Sequence, residues 1–249
     1  MSARRTKLLL AVGLLALSLF SAVTGQFEDA TAAYTNGDYV TAARLFRQLA
    51  EKGDNRAQNN LGEMYAFGEG VPTNYSEAIK WLRLAAGQGD ANAQTSLGAM
   101  YGAGFGVPQD YSKAATWYRL AAKQGDTTAE LNLGSIYLQG LGVRPDKEEA
   151  VRLYALASDQ GLAAAQLVLG ALYEDGTGVP KDPIQALKWY TLAAENSLKT
   201  VYRVVGSPPI PGPVIRDKAR ELCDQLAAKL TVDQVIEAHR LAQEWKPIR

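Results

Sequence analysis

The stretch that decides the fold is residues 53–88, which read GDNRAQNNLGEMYAFGEGVPTNYSEAIKWLRLAAGQ. The same pattern starts again at Gly89, Gly125 and Gly161, so four blocks of 36 residues follow one another without gaps. Eleven of the 36 positions are identical in all four blocks. A fixed period of this length is typical of repeat proteins, in which each repeat is one supersecondary unit that stacks on its neighbours.

Each block predicts two helices joined by a short loop. Ala57, Leu61 and Tyr65 share one face of the first helix, and Ala78 and Leu82 share one face of the second. The loop between them contains Gly-x-Gly-Val, whose glycines tolerate a positive φ and end the first helix. Asn or Asp stands before most of the predicted helices, where a side-chain oxygen caps the first turn, at Asp54, Asn74, Asp90, Asp110, Asp126, Asp146 and Asp182.

These motifs resemble the Sel-one-like (Sel1) repeat family, a relative of the tetratricopeptide solenoids. The resemblance covers roughly residues 38–196. The predicted solenoid is residues 26–198, with four full repeats plus a degenerate N-terminal one of which residues 38–52 form the second half. It implies an all-α fold, a right-handed α/α solenoid of helical hairpins. The third block departs most from the pattern, with Leu153 in place of tryptophan and Arg144-Pro145 in the loop.

Residues 1–25 are predicted to be a signal peptide. Arg4, Arg5 and Lys7 precede a thirteen-residue run without charge, Leu8 to Phe20, followed by small residues. The run is shorter than the roughly 20 apolar residues that a bilayer span needs. We therefore expect a periplasmic or secreted protein that keeps no stable membrane span after signal cleavage.

The C-terminal part of the chain leaves the repeat pattern. Residues 199–213 are rich in proline and predict a linker, and residues 214–249 predict a cap of two helices, Ile215–Leu230 and Thr231–Lys246. Val235, Ile236, His239, Ala242 and Trp245 form the expected apolar stripe of the second helix. Capping of the last repeat is the favoured role, because solenoid ends expose apolar faces, and partner binding is the alternative.

Composition excludes several function classes. Lys plus Arg and Asp plus Glu both number 26, so no basic field points to nucleic acid. A single His239 and a single Cys223 exclude a multi-histidine or multi-cysteine metal site within one chain. Nucleotide-binding and serine-nucleophile motifs are absent from the sequence. We therefore predict a protein that is not an enzyme, with no catalytic residues, no cofactor and no metal.

The variable positions on the first helix of each hairpin are the candidate binding site. If the resemblance holds, they line the concave face of the solenoid and bind a peptide or protein partner. The predicted partner-binding residues are Arg56, Asn59, Glu63, Asn92, Thr95, Thr128, Leu131, Ser135, Ala164 and Leu167.

The resulting hypothesis is an exported, non-enzymatic interaction scaffold or adaptor. The family resemblance implies adaptor or regulatory roles in envelope or secretion complexes. Two alternatives remain open at the level of sequence: a hydrolase acting on cell-wall or β-lactam substrates, and a structural protein with no specific ligand.

Overall fold

A computed structural model describes residues 25–196, 201–202 and 210–248. Residues 1–24 of the predicted signal peptide, and residues 199–200 and 203–209 of the predicted linker, lie outside the described residues. The chain divides into two compact units, residues 1–93 and 94–249. The helices are α1 (25–35), α2 (Tyr39–Glu51), α3 (Asn55–Phe67), α4 (Tyr75–Gly87), α5 (Ala91–Ala103), α6 (Tyr111–Ala122), α7 (Thr127–Gln139), α8 (Lys147–Asp159), α9 (Ala163–Asp175), α10 (Pro183–Asn196), α11 (Gly212–Ala227) and α12 (Val232–Glu244).

The predicted all-α fold of helical hairpins is confirmed. Within each unit, consecutive helices pack against one another, as α3 does on α4 and α7 on α8. The Asn74 side chain accepts hydrogen bonds from the backbone N–H groups of Ser76 and Glu77 at 3.1 Å, and so caps α4. Gly68 ends α3 in the left-handed conformation, with φ of +73°. Local cap and loop chemistry therefore sets the bounds of the repeat helices as predicted.

The first hairpin is complete, although the repeat pattern recognised in the sequence covers only its second helix. Helix α1 buries Ala30, and its Phe27 ring packs edge-on against Phe46 of α2 with centroids 5.6 Å apart. The turn between the two helices uses Gly37, with φ of +81°. The sequence pattern missed α1 because its packing uses phenylalanine and alanine and not the Leu-Gly pair of the other repeats.

A glycine in the first helix of each full repeat lets the second helix approach. A Cβ atom added at Gly98 would lie 2.6 Å from the Tyr118 ring, and one added at Gly170 would lie 2.6 Å from the Tyr190 ring. A Cβ atom added at Gly62 would lie 2.7 Å from Cγ of Leu82. These distances are shorter than any real carbon contact, so a larger residue would force the two helices apart.

Gly98→Ala is expected to destabilise the protein by about 1–3 kcal/mol, because the added methyl overpacks the contact with Tyr118. Gly102→Ala in the same helix is the matched control, since its Cβ would meet nothing closer than 3.7 Å. Alanine is the better helix former, so the control should leave stability unchanged or raise it by up to about 1 kcal/mol. Urea unfolding of both variants measures the difference, and equal stability of the two would contradict the packing argument.

The C-terminal helices pack on the last repeat. Helices α11 and α12 both contact α10, and Leu226 and Ala238 join a buried cluster with Leu187 and Tyr190. A short antiparallel strand pair, β1 (Val201–Tyr202) and β2 (Ile210–Pro211), precedes α11. The predicted linker of residues 199–213 extends too far towards the C-terminus, because α11 already begins at Gly212. A proline fits the first turn of this helix, since no backbone donor is needed there.

Helix α12 begins as predicted but faces its neighbours differently. Thr231 and Gln234 form the expected capping box. The buried stripe is centred on Ala238, at 0% exposure, whereas Ile236 is 60% exposed and His239 is also exposed. Val235, Ala242 and Trp245 of the predicted stripe pack in buried clusters. The prediction is wrong for Ile236 and His239, because the helix turns the small side chain of Ala238 towards α10.

Candidate functional site

The predicted partner-binding residues all lie in the first helices of hairpins, namely α3, α5, α7 and α9. Arg56 and Asn92 are exposed. Arg56 lies over the Phe27 ring, 4.0 Å from its centroid. The half-buried members are Glu63, Thr95, Thr128, Leu131, Ser135, Ala164 and Leu167.

One column of this set belongs to the edge of the core. Asn59 is only 7% exposed and donates to Glu63 over 3.5 Å. In the part of the chain that the structure describes, the Asn59 Oδ1 and Thr95 Oγ1 atoms are buried without a hydrogen-bond partner. Their counterparts Leu131 and Leu167 pack against buried clusters. A helix inside a stack packs on more than one neighbour, so it buries more than the single stripe that the helical wheel predicts.

A second column of the set is open to solvent. Arg56, Asn92, Thr128 and Ala164 occupy one repeat position and are exposed or half-buried. The next position along the chain is alanine in every full repeat, and Ala57, Ala93, Ala129 and Ala165 are all 0% exposed. The same helices therefore carry one invariant, buried column directly beside one variable, accessible column.

The C-terminal helices pack against α9, the first helix of the last repeat. Leu167 and Ala171 of α9 pack against the cluster that contains Leu226 of α11 and Ala238 of α12. This contact was not visible in the sequence, because periodicity places residues on a helix and does not show which surface a distant segment covers.

Buried polar side chains connect the hairpins at another repeat position. Gln166 Nε2 donates to the Ser158 carbonyl of α8 at 3.1 Å, and Gln166 Oε1 accepts from Asn196. Gln58 makes the equivalent bonds with Ala50 and Gln88. An amide suits this position because it donates to one helix and accepts from another at the same time.

The third full repeat has a carboxyl group at this position. Glu130 is 2% exposed and accepts a hydrogen bond from Gln160 at 3.1 Å. Burial and the nearby Asp126 carboxylate raise the pKa of Glu130 to about 7, although Arg152 of α8 opposes the shift. Only the protonated acid has a hydrogen to donate, as the amide of Gln166 does.

Glu130→Gln is expected to remove a pH dependence of stability. The pKa of Glu130 is raised in the folded state, so its favourable contribution is present at acidic pH and is lost as the pH rises through about 7. The shift corresponds to a loss on the order of 2–3 kcal/mol between pH 5 and pH 8.

Thermal unfolding at several pH values measures this effect. The Glu130→Gln variant should show a flatter dependence of the melting temperature on pH than the natural chain. The reciprocal variant Gln94→Glu places a carboxyl group at the equivalent position, where Gln94 is 5% exposed, and should steepen the dependence. Parallel curves for the natural chain and Glu130→Gln would show that Glu130 does not titrate in this range.

The remaining chemically active side chains include Cys223 and His239 of the C-terminal helices. Cys223 is a free, half-buried thiol, and burial raises its pKa, which lowers its reactivity. It lines a cavity of about 380 Å³ with His239 and Arg220. No group of three His, Cys, Asp or Glu side chains among the described residues is arranged to hold a metal ion. None of the described helices is long and apolar enough to cross a membrane.

The chain belongs to the Sel1 repeat family. The Sel1 repeat model matches residues 27–54, 55–90, 91–126, 127–162 and 163–198, which gives five consecutive repeats. The repeat pattern thus extends over α1, and the resemblance found in the sequence is confirmed. Sel1 repeat proteins generally mediate protein–protein interaction.

Solved structures of Sel1 repeat proteins are similar to this chain. A Sel1 repeat protein from Oxalobacter formigenes is 27% identical over 88% of this chain and 82% of its own length, with a TM-score of 0.70. The immunity protein Pa5087 from Pseudomonas aeruginosa is 22% identical over 87% of this chain and 83% of its own, with a TM-score of 0.51, and shows the fold alone. A search of curated proteins gave no match.

Proposed function

We propose that this protein is an exported scaffold or adaptor that binds a peptide or protein partner on the first helices of its Sel1 repeats. The general role of the family in protein–protein interaction supports a protein partner. The observation that carries the site is the contrast between two adjacent columns. The buried column is alanine in all four full repeats, whereas the accessible column is Arg56, Asn92, Thr128 and Ala164.

This contrast has a physical interpretation. Alanine recurs where a larger side chain would separate packed helices, so packing accounts for the buried column. Packing does not constrain the accessible column, and four residues of different size and charge occupy it. Side chains that differ from repeat to repeat at one accessible position are suited to recognising different parts of an extended peptide or helix.

Export is the second part of the proposal. The basic residues at positions 4, 5 and 7 and the apolar run after them have the organisation of a signal peptide. The first Sel1 repeat begins at residue 27. Cleavage between residues 22 and 27 would leave all five repeats in the mature protein.

A fusion of residues 1–30 to an alkaline phosphatase reporter, which is active only after export, tests whether the predicted signal peptide directs export. We expect active reporter, and a fusion in which Leu9, Leu10 and Leu14 are replaced by Asp should lose the activity, because charges interrupt the apolar run. Reporter activity of the natural fusion no greater than that of the Asp variant would contradict export.

Thr128→Glu is expected to weaken partner capture without reducing stability. Thr128 is half-buried in the first turn of α7, where a carboxylate is favoured by the helix dipole, so the change disturbs binding and not folding. Affinity capture from the native envelope fraction followed by mass spectrometry identifies the partner and measures how much of it each variant captures.

Thr116→Glu is the matched control for this experiment. Thr116 is exposed in α6, the second helix of its hairpin, outside the accessible column. We expect the control to capture the partner as the natural chain does, while Thr128→Glu loses it by about tenfold or more. Equal capture by the two variants would place the binding surface elsewhere, and no specific capture by any of them would favour a purely structural role.

A further inference from the structure

The chain's own C-terminal segment fills a groove between two second helices, α8 and α10. Ala242 and Trp245 pack into a cluster with Leu169, Trp189 and Leu192. The Trp245 and Trp189 rings meet edge-on with centroids 6.5 Å apart. Beyond the helix, the Ile248 N–H donates to the Asp159 carbonyl at 2.8 Å. This groove thus accepts the end of an amphipathic helix with an aromatic anchor.

The same groove exists one repeat earlier, between α6 and α8, and it is open among the residues that the structure describes. Its walls are the residues 36 positions before the walls of the filled groove: Leu133, Tyr137, Leu153 and Leu156 correspond to Leu169, Tyr173, Trp189 and Leu192. It forms a cavity of about 290 Å³. Leu156 is 40% exposed, whereas its counterpart Leu192 under the C-terminal segment is 2% exposed.

Leu156 of the open groove corresponds to Leu192, which makes an apolar contact in the filled groove. Leu192 is covered in a cluster that includes Ala242, so the same side chain at the same repeat position has a known packing partner in this molecule. The size of the open cavity suits one or two side chains, at the lower limit of the roughly 300–1,000 Å³ typical of ligand pockets. An inserted side chain therefore fits it better than a cofactor.

Charge distinguishes the two grooves. Arg119 and Lys123 line the open groove at the positions that Ala155 and Asp159 occupy beside the filled one. Arg119 also donates to the Tyr137 hydroxyl at 2.9 Å. Arg152 of α8 also lines the open groove, but it is already paired with Glu149 at 2.7 Å. The open groove is therefore basic. In the chain's own C-terminal segment, Glu244 before Trp245 is already paired with Arg240 at 2.6 Å, and Lys246 after Trp245 is a charge that a basic groove disfavours.

We propose that the groove between α6 and α8 binds the end of an amphipathic helix of a partner protein, which inserts an aromatic side chain against Tyr137 and Leu156 and places carboxylates beside Arg119 and Lys123. This surface is formed by α6 and α8 together with Leu133 and Tyr137 of α7, and it includes no residue of the accessible column, so it does not depend on that column. The partner's segment copies the packing of Trp245 and reverses the charge of Lys246.

A labelled peptide derived from the chain itself is the probe. It carries residues 232–248 with Lys246→Glu, and its binding to the full-length protein is followed by fluorescence anisotropy. We expect this acidic peptide to bind about tenfold more tightly than the peptide of natural sequence, because the charge of the groove favours it. Trp245→Ala in the acidic peptide should weaken binding by about tenfold, since an aromatic anchor is lost.

Two leucine variants of the protein locate the binding site. Leu156→Ser should weaken binding of the acidic peptide by about tenfold. Leu120→Ser is the matched control, because Leu120 is 42% exposed at the same repeat position but does not line this groove, and it should leave binding unchanged. Lys123→Glu should reverse the preference between the acidic and the natural peptide.

Several results would overturn the proposal. No binding of the acidic peptide, equal effects of the two leucine variants, or a stronger affinity for the natural peptide would each do so. If the peptide displaced the chain's own C-terminal segment from the groove between α8 and α10, Leu156→Ser would leave binding unchanged, which also contradicts the proposal. Thr128→Glu should not affect the peptide, so failure of the first-helix surface and failure of this groove are separate outcomes.

Discussion

The contact between a helical glycine and a large side chain of the next helix is the constraint on which each full repeat depends. Gly98 and Gly170 lie so close to tyrosine rings that no side chain fits between them. This closeness fixes the spacing of the two helices in a hairpin. Once that spacing is fixed, the alanine column can be fully buried and the loop has a defined span to bridge, so that the loop and cap residues follow from the same constraint.

Local departures from the repeat change properties without changing the fold. Leu153 replaces tryptophan and is still buried at 2% exposure, while Arg144 and Pro145 in the unusual loop are exposed. Leu162 takes the place of a capping aspartate and makes no side-chain cap bond. Glu130 has the largest consequence, because it replaces an amide with an acid that must be protonated to donate. Protonation and packing are therefore coupled in the hairpin that contains Glu130.

Much of the fold was predictable from the sequence because its determinants are local. The capping oxygens of Asn74 and Asp126 and the left-handed Gly68 act within a few residues of the chain, and the structure places them as predicted. Helix α1 was not predictable from the repeat pattern, because it lacks the Leu-Gly pair of the other first helices. The buried side of α12 was not predictable either, because its packing depends on a segment outside the repeats. The candidate site was predicted in part. Its helices were correct, but the depth of Asn59 depends on how many neighbours a stacked helix has.

The comparison of Leu156 with Leu192 shows why the surface of a repeat protein cannot be assigned from its repeat pattern alone. Both residues occupy one position of the same motif, and one is a surface residue while the other belongs to the core. The difference arises from the C-terminal segment, which packs in the cluster that contains Leu192 and does not contain Leu156. Successive repeats therefore form equivalent grooves, and the position of a terminal segment determines which of them is filled within the chain. The grooves that stay open retain the apolar chemistry of an interior contact, while the charges around them differ from repeat to repeat and determine which partner segment they favour.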